Sequence, residues 1–318
     1  MIVLHDGQVE RRGESSATAI GVFDGLHLGH QKVLEQVRTL AHEHAAIPTV
    51  ITFDPHPALV LAPERAPLLL ATLEQRLEGF AALGIEQVRV LTFSAELARE
   101  SAHAFIERVL VRELGAIDVI VGEDFQFGHN REGNVEMLHR EGVAHGFRAH
   151  PVSIYGADRR WSSTAVRGAL ADGDLDGANA ILGRAFSLRG TVSHGDARGA
   201  ELGYPTANMV LAPRQQLPEL GIYAGAVRTP DREWHPAAIS VGTRPQFYEN
   251  GALLVEVHVS GFSGNLYDAE IEVAFLVRLR SEMIFADVTE LVAQIDRDVA
   301  ETVEIFKNFM PEASALLG

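Results

Sequence analysis

The feature that most constrains the fold is a series of short apolar runs that alternate with helical patterns in the first half of the chain. The runs lie at 18–24, 48–54, 87–93, 117–123 and 150–154. Between them, residues 31–43, 73–83 and 102–114 repeat apolar positions every three or four residues, and a further helical segment at 164–182 follows the last run. Strands that are apolar on both faces and alternate with helices indicate a parallel sheet covered on both sides. We therefore predict an α/β domain.

The pattern changes in the second half. Residues 253–259 (LLVEVHV) and 271–279 (IEVAFLVRL) include alternating apolar and polar positions, which predicts an antiparallel sheet or small barrel. Residues 287–309 return to helical spacing. At 318 residues the chain exceeds the usual size of one domain. We predict two domains, 1–185 and 186–318, the second being a β domain followed by a helix.

Composition narrows the classes of function. The net charge is −16, and the two predicted domains contribute −8 each, which argues against nucleic acid as a partner. The absence of cysteine excludes disulfides, thiolate nucleophiles and cysteine-ligated zinc. No apolar stretch reaches the roughly 18 residues that span a bilayer, so we expect no membrane partner. The first residues lack a signal-peptide pattern, so we expect a cytoplasmic protein. The sequence leaves open whether it forms a homo-oligomer.

The string GVFDGLHLGH, residues 21–30, closes the first predicted strand and opens the first predicted helix. Ligands of parallel sheets bind at the carboxyl ends of the strands. A helix start also offers unpaired N–H groups and a positive dipole end, and Gly29 allows a ligand close to the backbone. His27 and His30 are therefore predicted to hold phosphates. Two surface histidines near a helix start are the alternative, which the complete string disfavours.

GVFDGLHLGH also resembles the GxFDGxHxGH signature of nucleotidylyltransferases. TFDPHP (52–57), VGEDFQFG (121–128), SSTAVRGAL (162–170) and ANAILGR (178–184) are similar to one branch, the bacterial bifunctional riboflavin kinases/FAD synthetases. LGYPTAN (202–208), VGTRP (241–245), VEVH (255–258) and NLY (265–267) resemble the riboflavin kinase module. The resemblance covers nearly the whole chain. It implies a Rossmann-like nucleotidylyltransferase domain followed by a small antiparallel β-barrel kinase domain with a C-terminal helix.

For the first domain, the resemblance implies condensation of FMN with ATP to FAD and pyrophosphate. Its implied catalytic residues are His27, His30 and Arg167. The ATP-binding residues would be Gly21, Phe23, Asp24, Gly29, Ser163 and Thr164, and the flavin-binding residues Asp54, Pro55, Asp124 and Phe127. In isolation, Ser163 and Thr164 could belong to a helix cap with Arg167 in solvent. Phe127 could equally be a core residue.

For the second domain, the resemblance implies phosphorylation of riboflavin by ATP. Lys32 and Lys307 are the two lysines, and neither lies in a P-loop sequence, so the ATP site must be built differently. The resemblance gives Thr206 and Asn208 the Mg-ATP contacts, and both offer oxygen ligands of the kind that Mg²⁺ accepts. It makes Glu256 the general base. Without the flanking motifs, LGYPTAN would indicate only a proline turn that leads into a strand.

Four positions depart from the pattern of the kinase module. Relatives usually carry arginine where this chain has Ala200, and many have asparagine near Ser240, threonine in place of Gln246 and glycine in place of Asp268. We expect these four positions in flanking loops. Three alternatives remain open at this point. The barrel could bind flavin without catalysis, the first domain could act on another phosphorylated acceptor, or the protein could carry flavin without turnover.

Overall fold

The computed structural model describes residues 1–7, 14–153, 161–195, 198–243 and 253–316. The chain divides into two compact units. The first comprises Met1–Pro67 and Leu73–Ser163, and the second comprises Leu68–Thr72 and Thr164–Gly318. A short piece of the N-terminal half therefore belongs to the second unit.

The elements follow in chain order. The strands are β1 Ile2–Leu4, β2 Ser16–Ile20, β3 Ile47–Asp54, β4 Gln87–Thr92, β5 Ala116–Gly122, β6 Gln126–Phe127, β7 Gly133–Asn134, β8 Arg148–Val152, β9 Phe186–Ser193, β10 Ala207–Leu211, β11 Gly221–Arg228, β12 Trp234–Thr243, β13 Leu253–Val259 and β14 Glu270–Arg280. The helices are α1 Leu28–Glu43, α2 Pro57–Leu61, α3 Leu73–Ala82, α4 Ala102–Phe105, α5 Val135–His145, α6 Ser163–Ala171, α7 Leu175–Leu182, α8 Arg198–Glu201 and α9 Val288–Leu316.

A six-stranded parallel sheet in the order β1-β4-β3-β2-β5-β8 forms the centre of the first unit. Neighbouring strand residues such as Val50 and Ile51 enter two different cores, one on each face. Helices α1 and α3 cover one face, and α4 and α5 cover the other. The predicted α/β architecture is confirmed. The chain moves outward from β2 to β3 and β4, then returns to place β5 on the other side of β2. The carboxyl end of β2 thus lies at the switch point where such sheets bind ligands.

The loop after β2 begins earlier than the apolar run 18–24 suggests, because the strand ends at Ile20. Phe23 and Leu26 have φ values of 57° and 45°, a left-handed conformation that bulky residues rarely adopt. Phe23 is nevertheless almost fully buried, so it continues the apolar pattern as a core residue of a loop. Such strained backbone is found preferentially at functional sites.

Two predicted helices are interrupted. The pattern at 102–114 forms α4 and continues as a π-helix over Ile106–Glu113. The pattern at 164–182 forms α6 and α7, which are separated at Gly173 with a φ of 75°. The Asp174 carboxylate then accepts a hydrogen bond from the Gly177 N–H at 2.9 Å and caps α7. The last residue of the run 150–154 lies outside the described residues.

A closed barrel of six antiparallel strands, in the order β10-β13-β12-β11-β14-β9, forms the centre of the second unit. Large side chains including Tyr223, Ile239 and Phe275 are fully buried in it, and the predicted barrel is confirmed. The period-two pattern holds on β13, where Val255 and Val257 are buried. It fails on β14, where Ala274 and Leu276 are buried as well because α9 covers them. Leu69 adds a parallel bridge to Gln215, so residues 68–72 are built into this unit.

The long helix α9 completes the second unit. Ile305 and Phe309 pack against Ala185, Ala274 and Leu276, and this confirms the predicted C-terminal helix. The helix is also held by an ion pair at 2.8 Å between Arg280 on β14 and the buried Asp298. Among the described residues, no helix combines the length and apolar character that crossing a membrane requires.

A buried carboxylate near the start of β5 joins three elements of the first unit. Asp118 is fully buried and accepts hydrogen bonds from His44 at 2.7 Å, His150 at 2.8 Å and Arg148 at 3.0 Å. Burial alone would raise the pKa of Asp118, but these hydrogen bonds outweigh it and hold the pKa below its ordinary value. His44 directly follows α1, so the cluster fixes the end of that helix.

We predict that Asp118→Asn destabilises the first unit by about 3 kcal/mol at pH 7. Because the folded-state pKa lies below the unfolded value, the stabilisation is present above about pH 4 and is lost as pH falls through the folded pKa. The difference in unfolding free energy between the variant and wild type should therefore narrow below pH 4. Urea unfolding followed by Trp161 fluorescence, in a Trp234→Phe background, measures it. The exposed Asp172→Asn is the control, and a pH-independent difference would contradict the prediction.

Candidate functional site

The first candidate site lies where β2 leads into α1. His27 is the N-cap of α1, with its side chain 4% exposed. Its Nδ1 accepts a hydrogen bond at 3.3 Å from the backbone N–H of His30. Because Nδ1 accepts, the neutral ring carries its proton on Nε2. The cap therefore sets which nitrogen of His27 can donate to a ligand.

His27 and His30 form a stacked pair, with ring centroids 3.6 Å apart and ring planes 19° apart. Phe23 meets the His30 ring edge-on at 5.1 Å. A side-chain carbon on Gly29 would lie 3.2 Å from the His27 ring, closer than ordinary packing allows. Glycine at this position keeps the imidazole pair undistorted. The two predicted histidines are thus brought together by the start of the helix.

Burial is the larger cause that lowers the pKa of His30 well below its ordinary value, and the nearby His27 adds to the effect. His30 is consequently neutral at pH 7. Its Nδ1 is buried and has no hydrogen-bond partner among the described residues. A buried polar atom of this kind is costly unless a ligand or water satisfies it. His30 is therefore suited to make a hydrogen bond to a bound ligand.

Ser163, the first residue of α6, donates a hydrogen bond from Oγ to the Asp24 carbonyl at 2.8 Å. The hydroxyl thus holds the loop after β2 within the first unit, which is more than a local helix cap. Thr164 is exposed. Arg167 donates from Nε to the Leu68 carbonyl at 2.6 Å, within the second unit. Arg167 is therefore hydrogen-bonded to protein.

Arg76 is a buried arginine on α3 that the sequence motifs did not indicate as a site residue. Its Nη1 donates to the Val22 carbonyl at 2.8 Å and to Thr52 Oγ1 at 2.9 Å, and its guanidinium reaches the Phe53 carbonyl at 3.3 Å. Burial lowers the pKa of Arg76, while the carboxylates of Asp24 and Asp54 oppose that decrease. One side chain therefore joins the loop after β2 to the end of β3.

A sequence signal for Arg76 exists. It lies four residues before Phe80, and these two are the buried residues of α3. A charged residue on the buried face of an amphipathic helix must find partners there. The pattern could therefore have pointed to a buried role, although it could not have named the carbonyl groups.

The residues of the TFDPHP string surround the end of β3. Asp54 is half exposed, and its carboxylate lies 3.6 Å from the Arg76 guanidinium. Pro55 follows through a cis peptide bond. His56 caps α2, where its Nδ1 accepts from the Ala58 N–H at 3.1 Å. The local structure thus presents Asp54 and Pro55 at the rim of the sheet. The His56 side chain instead accepts a hydrogen bond from the backbone of α2.

The VGEDFQFG string follows β5 and carries two half-buried phenylalanines. Phe125 and Phe127 stack at 5.4 Å, and Phe127 also contacts Phe105 of α4 at 5.8 Å. Both pack against the core under α4 and α5. Asp124 is exposed. These packing contacts explain why Phe127 is half buried. Its contact with flavin stays a prediction.

The second candidate site lies on the barrel. Asn208 on β10 is directly opposite Glu256 on β13, which is in turn opposite Ser240 on β12. Ser193 on β9 is opposite Asn208 on its other side. Residues directly opposite in antiparallel strands share a face, so four polar side chains form one row. The neighbouring Val255 and Val257 point to the barrel core.

The segment before β10 is fixed by a histidine from the same face as Glu256. His258 Nδ1 lies 2.9 Å from the Pro205 carbonyl and donates to it. Thr206, half buried, follows that carbonyl and lies two residues before Asn208. A hydroxyl, an amide oxygen and the Glu256 carboxylate are hard oxygen donors, so this group fits Mg²⁺.

A cleft of about 410 Å³ adjoins Asn208, within the volume range of small-molecule sites. Its polar lining comprises Ser193, His194, Asn208, Arg214 and Gln215. A side-chain carbon on Gly195 would lie 2.2 Å from the Asn208 amide nitrogen. A side chain at position 195 would therefore displace the Asn208 amide.

The departures from the kinase pattern lie in different places. The expectation that all four occupy flanking loops is wrong for Ser240, which is a strand residue opposite Glu256. Asp268 has a φ of 62°, which explains why glycine suits this position and why an aspartate is tolerated. Ala200 is exposed on α8. Gln246, like Arg244 and Pro245 of VGTRP, lies outside the described residues.

Comparison with known families assigns both halves of the chain. Residues 9–165 match the family model for FAD synthetase, and residues 182–306 match the model for riboflavin kinase. A bifunctional riboflavin kinase/FMN adenylyltransferase of Pseudomonas fluorescens is 38% identical over 93% of this chain and 94% of its own length. The protein of the same name from Listeria monocytogenes is 35% identical, with 91% of each chain covered.

A solved structure matches over both halves. The crystal structure of a macrolide-efflux protein from Streptococcus pneumoniae superimposes with a TM-score of 0.84 and 28% identity, covering 96% of this chain and 99% of that one. This similarity concerns the fold. The solved protein is named for efflux, whereas the relatives above are named for flavin chemistry.

We predict that His30 titrates well below pH 6.5 in the free protein, and that His27→Gln raises its pKa because a neighbouring imidazole is removed. NMR titration of histidine Cε1–H signals, with His30 assigned from His30→Gln, measures both values. His42→Gln, an exposed position on the same helix, should leave His30 unchanged. A wild-type His30 that titrates near pH 6.5 would contradict this prediction.

Proposed function

Because the chain belongs to the family of bifunctional riboflavin kinase/FMN adenylyltransferases, we propose that its two halves contain two separate catalytic sites. The second half transfers the γ-phosphoryl group of ATP to riboflavin and yields FMN and ADP. The first half joins FMN to the adenylyl group of a second ATP and yields FAD and pyrophosphate. We propose residues 1–185 and 186–318 as the division between these activities.

The stacked pair of His27 and His30 at the start of α1 carries the proposal for adenylyl transfer. The FMN phosphate attacks the α-phosphorus of ATP, and the bond to the pyrophosphate oxygen breaks. The nucleophile is already an anion, so the site supplies position and stabilises developing charge. A neutral His30 and the Nε2–H of His27 donate to phosphate oxygens, together with the backbone N–H groups of the helix start.

Other residues complete this site in the proposal. Gly21, Phe23, Asp24 and Gly29 shape the loop around ATP, and Ser163 holds that loop through the Asp24 carbonyl. That Thr164 and Arg167 bind phosphate stays a prediction, since both residues belong to the second unit. Asp54, Pro55, Asp124 and Phe127 bind the flavin.

The pairing of Asn208 with Glu256 across β10 and β13 carries the proposal for the kinase. Glu256 accepts the proton of the ribityl 5′-hydroxyl as its oxygen attacks the γ-phosphorus, and ADP leaves. Thr206 and Asn208 hold Mg²⁺, which neutralises phosphate charge when bound. His258 keeps Thr206 in place through the Pro205 carbonyl.

We predict that His30→Ala accumulates FMN when given riboflavin and Mg-ATP, because the first reaction continues and the second fails. Glu256→Ala should form FMN about 10²- to 10⁴-fold more slowly, because the general base is lost, yet should still convert supplied FMN to FAD. Mass spectrometry of the products of the full-length variants measures both steps.

Each variant contains its own folding control, because the activity of the other unit should persist. His42→Ala on α1 and Glu301→Ala on α9 are exposed control substitutions. Loss of both activities in both folded variants would contradict the two-site proposal. Normal FMN formation by Glu256→Ala would show that the barrel uses another base.

We further predict that Arg76→Lys lowers kcat/KM for FMN adenylylation by about ten- to a hundredfold and leaves riboflavin phosphorylation unchanged. A lysine has one ammonium group and cannot serve the Val22 and Phe53 carbonyls as the guanidinium does. Steady-state rates of both reactions test this. Arg65→Lys, an exposed position, is the control, and an unchanged adenylylation rate would contradict the positioning role.

A further inference from the structure

Two histidines and a glutamate meet on the helical layer of the first unit. His103 lies on α4, whereas Glu141 and His145 lie four residues apart on α5. Residues four apart on a helix lie on one face, so Glu141 and His145 present their side chains together. Neither proposed reaction uses these three residues.

The three side chains converge on one carboxylate oxygen. His103 Nδ1 lies 3.1 Å from Glu141 Oε2, and His145 Nε2 lies 3.7 Å from the same atom. One ligand atom from each residue lies within 4.8 Å of the other two. In a tetrahedral zinc site with bonds of about 2.0–2.2 Å, ligand atoms are about 3.3–3.6 Å apart. Small side-chain movements would therefore complete the geometry.

The donor set selects the class of ion. Two imidazole nitrogens and one carboxylate oxygen suit zinc and similar divalent transition metals, whereas Mg²⁺ and Ca²⁺ prefer oxygen ligands alone. We propose that His103, Glu141 and His145 form a zinc-class metal site that is separate from the proposed Mg-ATP site. The Glu141 side chain is 13% exposed and that of His145 is 25% exposed, so two ligands are held by the protein.

His103 is 57% exposed and supplies both an entry path and freedom to adjust. Three protein ligands leave a fourth position for water. Arg140 lies 3.4 Å from Glu141 Oε1, the oxygen that the histidines leave free, and helps to orient the carboxylate. Bound metal would link α4 to α5, whose inner faces share one core.

The link would also affect the neighbouring hairpin. The Ala102 N–H donates to Glu132 Oε1 at 2.8 Å, and Phe127 of β6 packs against Phe105 of α4. Fixing α4 to α5 therefore fixes the supports of the β6–β7 hairpin. Metal binding should raise the melting temperature of the first unit, because the ion binds the folded chain in preference to the unfolded one.

Zinc binding to the metal-stripped full-length protein, measured by isothermal titration calorimetry without Mg²⁺ or nucleotide, tests the proposal. We expect one saturable site per chain, weakened at least about tenfold by His103→Ala and by Glu141→Gln. X-ray absorption should give two imidazole nitrogens and oxygen ligands. His139→Ala, an exposed position on α5, is the matched control and should bind as wild type.

Several results would overturn the proposal. They are the absence of saturable zinc binding, equal affinity in His103→Ala and wild type, and a loss in His139→Ala as large as in His103→Ala. If Glu141→Gln fails to fold, the exposed His103→Ala still decides, since its far-ultraviolet circular dichroism should match wild type. None of these measurements depends on flavin or ATP turnover, so they are independent of the proposed function.

Discussion

The buried guanidinium of Arg76 is the interaction on which the first site depends. A parallel sheet brings strand ends to one edge but does not fix the loops that follow them. Arg76 donates to carbonyl groups of two neighbouring segments, at Val22 in the loop after β2 and at Phe53 near the end of β3. Burial lowers the pKa of Arg76, and the nearby carboxylates of Asp24 and Asp54 oppose that decrease. The loop that carries the histidine pair is thereby held to its neighbour.

The two proposed sites would meet phosphate in different ways. The first would use a helix start and a pair of imidazoles. Burial keeps His30 uncharged, so this site would rely on directed hydrogen bonds. The second places a carboxylate beside an amide and a hydroxyl on an antiparallel surface. This difference suits the reactions proposed for them, since a phosphate nucleophile needs no base and an alcohol does.

Much of this organisation could be predicted from the sequence. Apolar runs predicted the parallel sheet and alternation predicted the barrel. The glycine-histidine string pointed to the candidate site at the end of β2, which stays a prediction. The strained loop after β2 could not be predicted, because Phe23 continues the apolar pattern while its backbone leaves the strand. The partners of Arg76 and the position of Ser240 opposite Glu256 depend on contacts between residues distant in sequence. Local propensity contains no information on such contacts.

Leu69 pairs with a barrel loop, although the residues before and after its segment belong to the first unit. Its backbone donates to the Arg214 carbonyl at 2.7 Å and accepts from the Gln216 N–H at 2.8 Å. During synthesis, residues 68–72 leave the ribosome long before their partners do. A gene fragment that begins after residue 185 would encode a barrel without this segment. The two folding units are thus interleaved along the chain, and a single cut cannot separate them intact.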